Sequence, residues 1–265
     1  SGQREASNLK ELNFNLWQYC MFRREKSLVL TDLPDKIRQV NTCEITNRKE
    51  YMDAERDLIM YLQKYKDADD DKIEKALRGE VMVRINILRQ ISARGKVRDV
   101  IEFVKDFREN GKKIILFCSL HEVVDQLKRY FPTAVSVTGR ESPDMKQRAV
   151  DAFQNNPKVD IIICSIKAAG VGLTLTASSN VAFVEFPWTY ADCCQCEDRA
   201  HRIGQKDSVT CYYFLGRRTI DEKVYRIIQE KKNIANAVTG STEDIEENIV
   251  DMVARIFDTE YDDEE

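Results

Sequence analysis

The residues best suited to chemistry lie in the segment Gln195-Cys-Glu-Asp-Arg-Ala-His-Arg-Ile-Gly-Gln205. Arg199 and Arg202 are three apart, so on a helix they project from one face, with Gln195 one turn ahead of Arg199 on the same side. Two guanidiniums aimed one way suit planar, multidentate recognition of a phosphate, which a lysine ammonium does not reproduce. Taken alone, the pair is better read as surface arginines that bridge Glu197 and Asp198. A second candidate is Ser165-Ile-Lys-Ala-Ala-Gly-Val-Gly-Leu-Thr174. There Gly170 and Gly172 allow close approach of the backbone and leave amides open to a phosphate, although glycines serve turn geometry as often. Cys193, Cys194 and Cys196, with His201 nearby, raise the question of a metal. Their Cys-Cys-x-Cys spacing is not that of a zinc knuckle and no second pair follows, so we expect no metal and read them as small buried thiols on a helix.

The elements that must position these residues are readable from periodicity. Strands are expected at Ile37 to Ile45, Lys113 to Cys118, Ala134 to Val137, Val159 to Cys164, Val181 to Glu185 and Val209 to Phe214. Helices are expected at Asn47 to Tyr65, Ile73 to Gln90, Lys96 to Glu109, His121 to Tyr130, Asp144 to Gln154, Tyr190 to Arg202 and Ile220 to Ala237. From Lys113 onward apolar strands alternate with helices, the pattern of a parallel sheet covered on both faces. The expected fold class is α/β, doubly wound, with a helical insertion near the N-terminus. In such sheets ligands gather at the loops following the strands.

With 43% hydrophobic residues, 32% charged residues and few Gly or Pro, the 265-residue chain excludes disorder and can bury a sizeable core. Its formal charge of -4 gives no bulk reason to expect nucleic acid. That figure is dominated by the acidic stretch Ser241 to Glu265, without which the body is net basic. The stretch reads either as a solvated, partly helical end or as a competitor of DNA for a basic cleft. Eight Cys, no apolar leader and no run of about 18 apolar residues lead us to expect an intracellular, reducing setting and no membrane.

Together these segments resemble a known family. Gln195-x-x-Asp-Arg-x-His-Arg-Ile-Gly-Gln205 resembles motif VI of the Swi/Snf-like ATPases of superfamily 2, and Ser165 to Leu175 looks like their motif V. Lys113 to Leu120 resembles motif IV, and Phe186-Pro-Trp188 the tryptophan-bearing segment after motif V. Phe22-Arg-Arg-Glu-Lys26 and Leu33-Pro-Asp-Lys36 resemble the hinge between the two motor lobes. The match runs from about Leu9 to Ala237 in the family's order. The chain departs from it at Val137-Thr-Gly-Arg-Glu141, where Asp-Gly-Ser/Thr is usual, and at Lys167 and Thr174, where Arg and Asn are usual. A short insertion, with Ala93-Arg-Gly-Lys-Val97 running straight into a helix, looks more like the compact annealing-helicase or bacterial branch.

The resemblance implies a RecA-like second motor lobe of an ATP-driven translocase on double-stranded DNA. Its partners would be duplex DNA and the N-terminal motor lobe of the same polypeptide, with chromatin or repair proteins beyond them. It implies that Arg202 is an arginine finger, that Arg199 supports it, and that Gln195 links the ATP site to the nucleic acid side. Gly170 and Gly172 would line the nucleotide cleft, and Ser119, Thr138, Gly139, Ser165 and Lys167 would grip the DNA backbone. Trp188 would lie against DNA, or else be a core aromatic beneath the sheet edge. The implied divisions are a hinge and lead-in (1–45), a helical insertion (46–110), the motor lobe (111–240) and an acidic tail (241–265). No Gly-x-x-x-x-Gly-Lys-Ser/Thr loop and no Asp-Glu-x-His box occur, so ATP and Mg²⁺ would be held mainly by the other lobe and this chain alone would hydrolyse nothing. Lobe 2 of an RNA or strand-separating helicase, and a non-catalytic interaction module, are the other readings.

Overall fold

Ile161 to Ser165 is apolar at nearly every position and fully buried, as a strand covered on both faces must be. The computed structural model describes residues 33–168, 172–230 and 249–258. The cluster Phe22 to Lys26, Gly170 and the expected end of the last helix at Ala237 lie outside the described residues.

In chain order the described elements are β1 (Lys36–Cys43), α1 (Arg48–Lys66), α2 (Asp71–Glu109), β2 (Ile114–Cys118), α3 (His121–Tyr130), β3 (Val135–Val137) and α4 (Pro143–Asn155), followed by β4 (Ile161–Ser165), β5 (Asn180–Phe183), α5 (Tyr190–Glu197), β6 (Val209–Gly216) and α6 (Ile220–Glu230). All six strands pair in parallel, in the order β1-β6-β5-β2-β4-β3. Connections leave β2 toward one side of the sheet and β5 toward the other, which places the switch point between these two strands.

The sheet's two faces carry separate cores because alternate residues point opposite ways. Ile115, Phe117, Ile162, Cys164, Val181 and Phe183 face a core that takes in α1, the first half of α2, α4, α5 and α6. Ile114, Leu116, Cys118, Ile161, Ile163 and Ala182 face a second core closed by the other half of α2 and by α3. Helix starts carry local signals: Asp70 accepts hydrogen bonds from the amides of Lys72 and Ile73, and Ser142 caps α4 just before Pro143. Within the acidic stretch, residues 249–258 are helical and place Ile249, Val250, Val253 and Phe257 in the first core. The Tyr65 hydroxyl donates to Asp251 at 2.6 Å, and Lys66 pairs with Asp258.

Two helix expectations need correction. The separate helices Ile73 to Gln90 and Lys96 to Glu109 are one, because Gly95 does not break α2. It is there for close approach, since a Cβ at Gly95 would stand 2.2 Å from Asn47 Oδ1 and 2.7 Å from Ile45 Cβ. The Thr46 amide also donates to the Gly95 carbonyl at 3.1 Å. Gly95→Ala, which on an exposed helix stabilises by about 1 kcal/mol, is therefore expected to destabilise this chain by about 1–3 kcal/mol through overpacking. Urea unfolding measures the sign, and a stabilised variant would refute the packing argument. The second correction is at α5, which ends at Glu197 rather than Arg202.

Candidate functional site

With α5 ending at Glu197, Arg199 and Arg202 do not share a helix face. Beyond Glu197 the chain winds through a turn in which the amides of Ala200 and His201 return to the Glu197 carbonyl, at 3.2 and 3.0 Å. The two arginines nevertheless converge. Arg202 Nη1 donates to the carbonyl oxygens of Leu173 at 3.1 Å and Gly172 at 3.4 Å. Arg199 Nη1 would lie 3.7 Å from a Cβ on Gly172. Gly172 has φ of +76°, a left-handed conformation that favours glycine, so it is turn geometry that calls for glycine at this position.

Burial lowers the pKa of Arg199 below the ordinary arginine value, and the neighbouring charge of Arg202 lowers it further, with Asp198 acting the other way. Two cations are thus held together, half-buried, at one loop. The bridge to Glu197 allowed by the sequence does not form, because that carboxylate pairs with Lys36 and Arg38 instead. Gln195 is exposed, and it is its carbonyl that takes part, accepting from Arg199 Nε at 3.0 Å.

Gln205 binds the arginine turn to the loop after β4. Its Nε2 donates to the carbonyls of Ser178 at 2.8 Å, Ala200 at 3.1 Å and Thr176 at 3.3 Å, and its Oε1 accepts from the amides of Lys206 and Asp207. Leu175 adds a backbone bond to the Arg199 carbonyl at 2.9 Å. His201 Nε2 lies 2.7 Å from the Pro34 carbonyl oxygen.

A second group gathers where β2, β4 and β3 end side by side, since Cys118 pairs with Ser165 and Val137 with Cys164. Ser119, Thr138, Gly139, Ser165 and Lys167 belong to it. The amides of Ser119 and Leu120 donate to Glu185 Oε2 at 2.6 and 2.9 Å, so Glu185 spans the switch point between β2 and β5. The amides of Thr138 and Gly139 donate to Glu141 Oε2 at 2.8 and 3.1 Å, and Thr138 Oγ1 donates to the same carboxylate. Ser165 is buried, its Oγ accepting from the Ala168 amide at 3.1 Å. Of these five residues, Ser119, Gly139 and Lys167 are exposed. Trp188, beyond β5, is half-buried against the first core, with the Arg89 guanidinium 4.0 Å over its ring.

Cys193 and Cys196 are buried, and desolvation raises both thiols above their ordinary pKa. Among the described residues no three His, Cys, Asp or Glu side chains converge as metal ligands, and no described helix is long and apolar enough to cross a membrane. The sequence alone marks Glu197 only as a surface partner of the arginines and assigns no role to Glu185, Glu141 and Lys96. All are charged residues in a chain rich in them; Glu197, Glu185 and Lys96 are set apart only by partners distant in sequence, and Glu141 by the turn it closes on Thr138 and Gly139.

Comparison with known proteins agrees with this architecture. The family described as "Helicase conserved C-terminal domain" matches residues 95–204. The SWI/SNF-related matrix-associated actin-dependent regulator of chromatin subfamily A-like protein 1 of Xenopus tropicalis is 30% identical over 233 residues, covering 85% of this chain and 24% of that protein. The DNA annealing helicase and endonuclease ZRANB3 of Bos taurus is 32% identical over 249 residues, covering 90% of this chain and 22% of that protein. This chain therefore spans about a quarter of the length of these relatives. Among solved structures, the Sulfolobus solfataricus SWI2/SNF2 ATPase core in complex with double-stranded DNA superposes with a TM-score of 0.63 at 22% identity, over 81% of this chain and 48% of that one. At that identity it is the fold that is shared. Sequence motifs, parallel sheet and relatives agree, and the chain belongs to the helicase C-terminal domain family as a RecA-like C-terminal lobe of the Swi/Snf-like, superfamily 2 type.

Proposed function

We propose that this chain is the second motor lobe of an ATP-dependent double-stranded DNA translocase, supplying arginines to a nucleotide held chiefly by another lobe. The observation that carries this reading is the convergence of Arg199 and Arg202 on Gly172. Paired guanidiniums at a glycine-lined loop suit a polyphosphate, whose transferring γ-phosphoryl spreads negative charge over three oxygens in the transition state. Arg202 would exchange its bonds to the Gly172 and Leu173 carbonyls for those oxygens, while Arg199 adds charge beside it and Gly170 with Gly172 lines the cleft. Gln195, one turn ahead, would connect this site to the nucleic acid side.

At the strand ends, Lys167 and the hydroxyl of Ser119 would hold the DNA backbone, with Thr138, Gly139, Ser165 and Trp188 shaping that surface. Phosphate contacts of this kind fix register without reading sequence. The annealing-helicase name of the Bos taurus relative and the duplex bound to the Sulfolobus core support DNA as the partner. Mg²⁺ would accompany ATP, but the described residues offer it no ligand set and no step here runs through it. With no phosphate-cradling loop in the sequence, the chain alone would be inactive.

The test is phosphate release by the two-lobed protein with duplex DNA, single-stranded DNA or RNA as stimulant. Duplex is expected to stimulate most, and this chain alone to release none. Equal stimulation by all three, or none by duplex, would refute the proposal.

A further inference from the structure

Glu197 closes α5 with no solvent exposure. Arg38 grips its carboxylate with a fork, Nε to Oε2 at 2.8 Å and Nη2 to Oε1 at 2.7 Å. Lys36 Nζ reaches Oε1 at 3.0 Å and the Tyr213 hydroxyl donates to Oε2 at 2.9 Å. Burial pushes this carboxyl up, but the hydrogen bonds and charges of Arg38 and Lys36 outweigh it and hold the group below the ordinary carboxylate value. Arg38 also lies 5.0 Å over the ring of Tyr190, in the first turn of α5, so one strand residue touches both ends of that helix.

We propose that Glu197, with Arg38 and Lys36 of β1, is a positioning residue that sets where Arg199 and Arg202 stand. The inference rests on the function proposed above. It goes beyond it by assigning the placement of the arginines to the edge strand rather than to the arginine segment itself. Past Glu197 no helical ladder continues, so the turn is fixed by the Glu197 carboxylate, by His201 and by the loop after β4. The first is held from β1 and the second from Pro34, just ahead of it, across 159 to 167 residues of sequence. The loop after β4 meets the turn through Gln205, through the Leu175 amide on the Arg199 carbonyl and through Arg202 itself. Pro34 and Lys36 lie in the segment that resembles the connector between lobes, so a shift where the chain enters β1 moves the guanidiniums as well. Misplacing a catalytic group by about 1 Å costs on the order of 100-fold in rate.

Three variants test this: Arg38→Met removes the fork, Glu197→Gln removes the charge it grips, and Arg38→Lys restores a cation. In the two-lobed protein, Arg38→Met is expected to lower kcat of duplex-stimulated ATP hydrolysis roughly 10- to 100-fold. KM for ATP and duplex affinity should stay unchanged, and Arg38→Lys, which keeps the charge but not the fork, should lose less than Arg38→Met. In this chain, hydrogen exchange across residues 198–204 should quicken in Arg38→Met and Glu197→Gln, and less in Arg38→Lys. A kcat that falls only in step with duplex affinity and melting temperature would overturn the inference, and so would unaltered exchange across the turn. Should Arg202→Ala leave turnover intact, the arginine-finger reading fails by itself, and the exchange data still decide whether Glu197 positions the turn. If Glu197→Gln does not fold, the two Arg38 variants carry the test.

Discussion

Lys96→Met is expected to destabilise the chain by about 3–5 kcal/mol, the usual cost of removing one partner of a buried ion pair. Lys96 is 1% exposed, and its ammonium is spent on three acceptors: the Val184 carbonyl at 2.5 Å, the Phe214 carbonyl at 2.8 Å and Asp221 Oδ2 at 2.8 Å. One side chain from α2 therefore ties together β6, the residue following β5 and the start of α6. Asp221, 2% exposed, also accepts from Ser92 Oγ at 2.7 Å and the Gly216 amide at 3.0 Å. Methionine fills much of the same volume, so the loss would come from a stranded carboxylate and two stranded carbonyls rather than from a cavity. For a chain of this size the melting temperature should fall on the order of 10 °C. Adding Asp221→Asn should cost less than the two single losses summed, because the pair is coupled. An unshifted melting curve for Lys96→Met would show that the ammonium contributes nothing to holding these elements together.

Much of the fold was legible because buried parallel strands read as unbroken apolar runs. Ile161 to Cys164 and Ile114 to Cys118 could be little else once helical patterns flanked them. Strand order was not legible, since periodicity says which residues are buried but not beside which strand. The continuity of α2 through Gly95 was not legible either. The expected helices left a gap from 91 to 95, and the contact that requires a glycine there comes from Asn47 and Ile45, which no local window contains.

The candidate site was legible in part. Arg199 and Arg202 were singled out by spacing on a helix, yet the helix ends before either of them. They meet instead at the loop after β4, where Arg202 reaches the carbonyls of Gly172 and Leu173. Ser119, Thr138 and Ser165 could be placed at strand ends because the strands could be placed. That Glu185 and Glu141 would take the neighbouring amides could not, since a glutamate in a loop carries no local mark of the donors it will meet. Glu197 is the clearest omission. It read as a surface partner for the arginines and is instead a buried anchor for Lys36 and Arg38.

The second large effect is expected at Arg202. If its guanidinium stabilises the transferring phosphoryl, Arg202→Ala should lower duplex-stimulated turnover of the two-lobed protein by on the order of 10³-fold or more. Arg202→Lys should rescue little, because a point charge does not reproduce the fork. The bonds given up in the folded chain go to two loop carbonyls, and Gln205 still ties that loop to the turn, so the fold should persist. The decisive measurement is phosphate release by the Arg202→Ala protein at saturating ATP and duplex DNA, with duplex affinity recorded alongside. The account predicts lost turnover with intact affinity; retained turnover would contradict it.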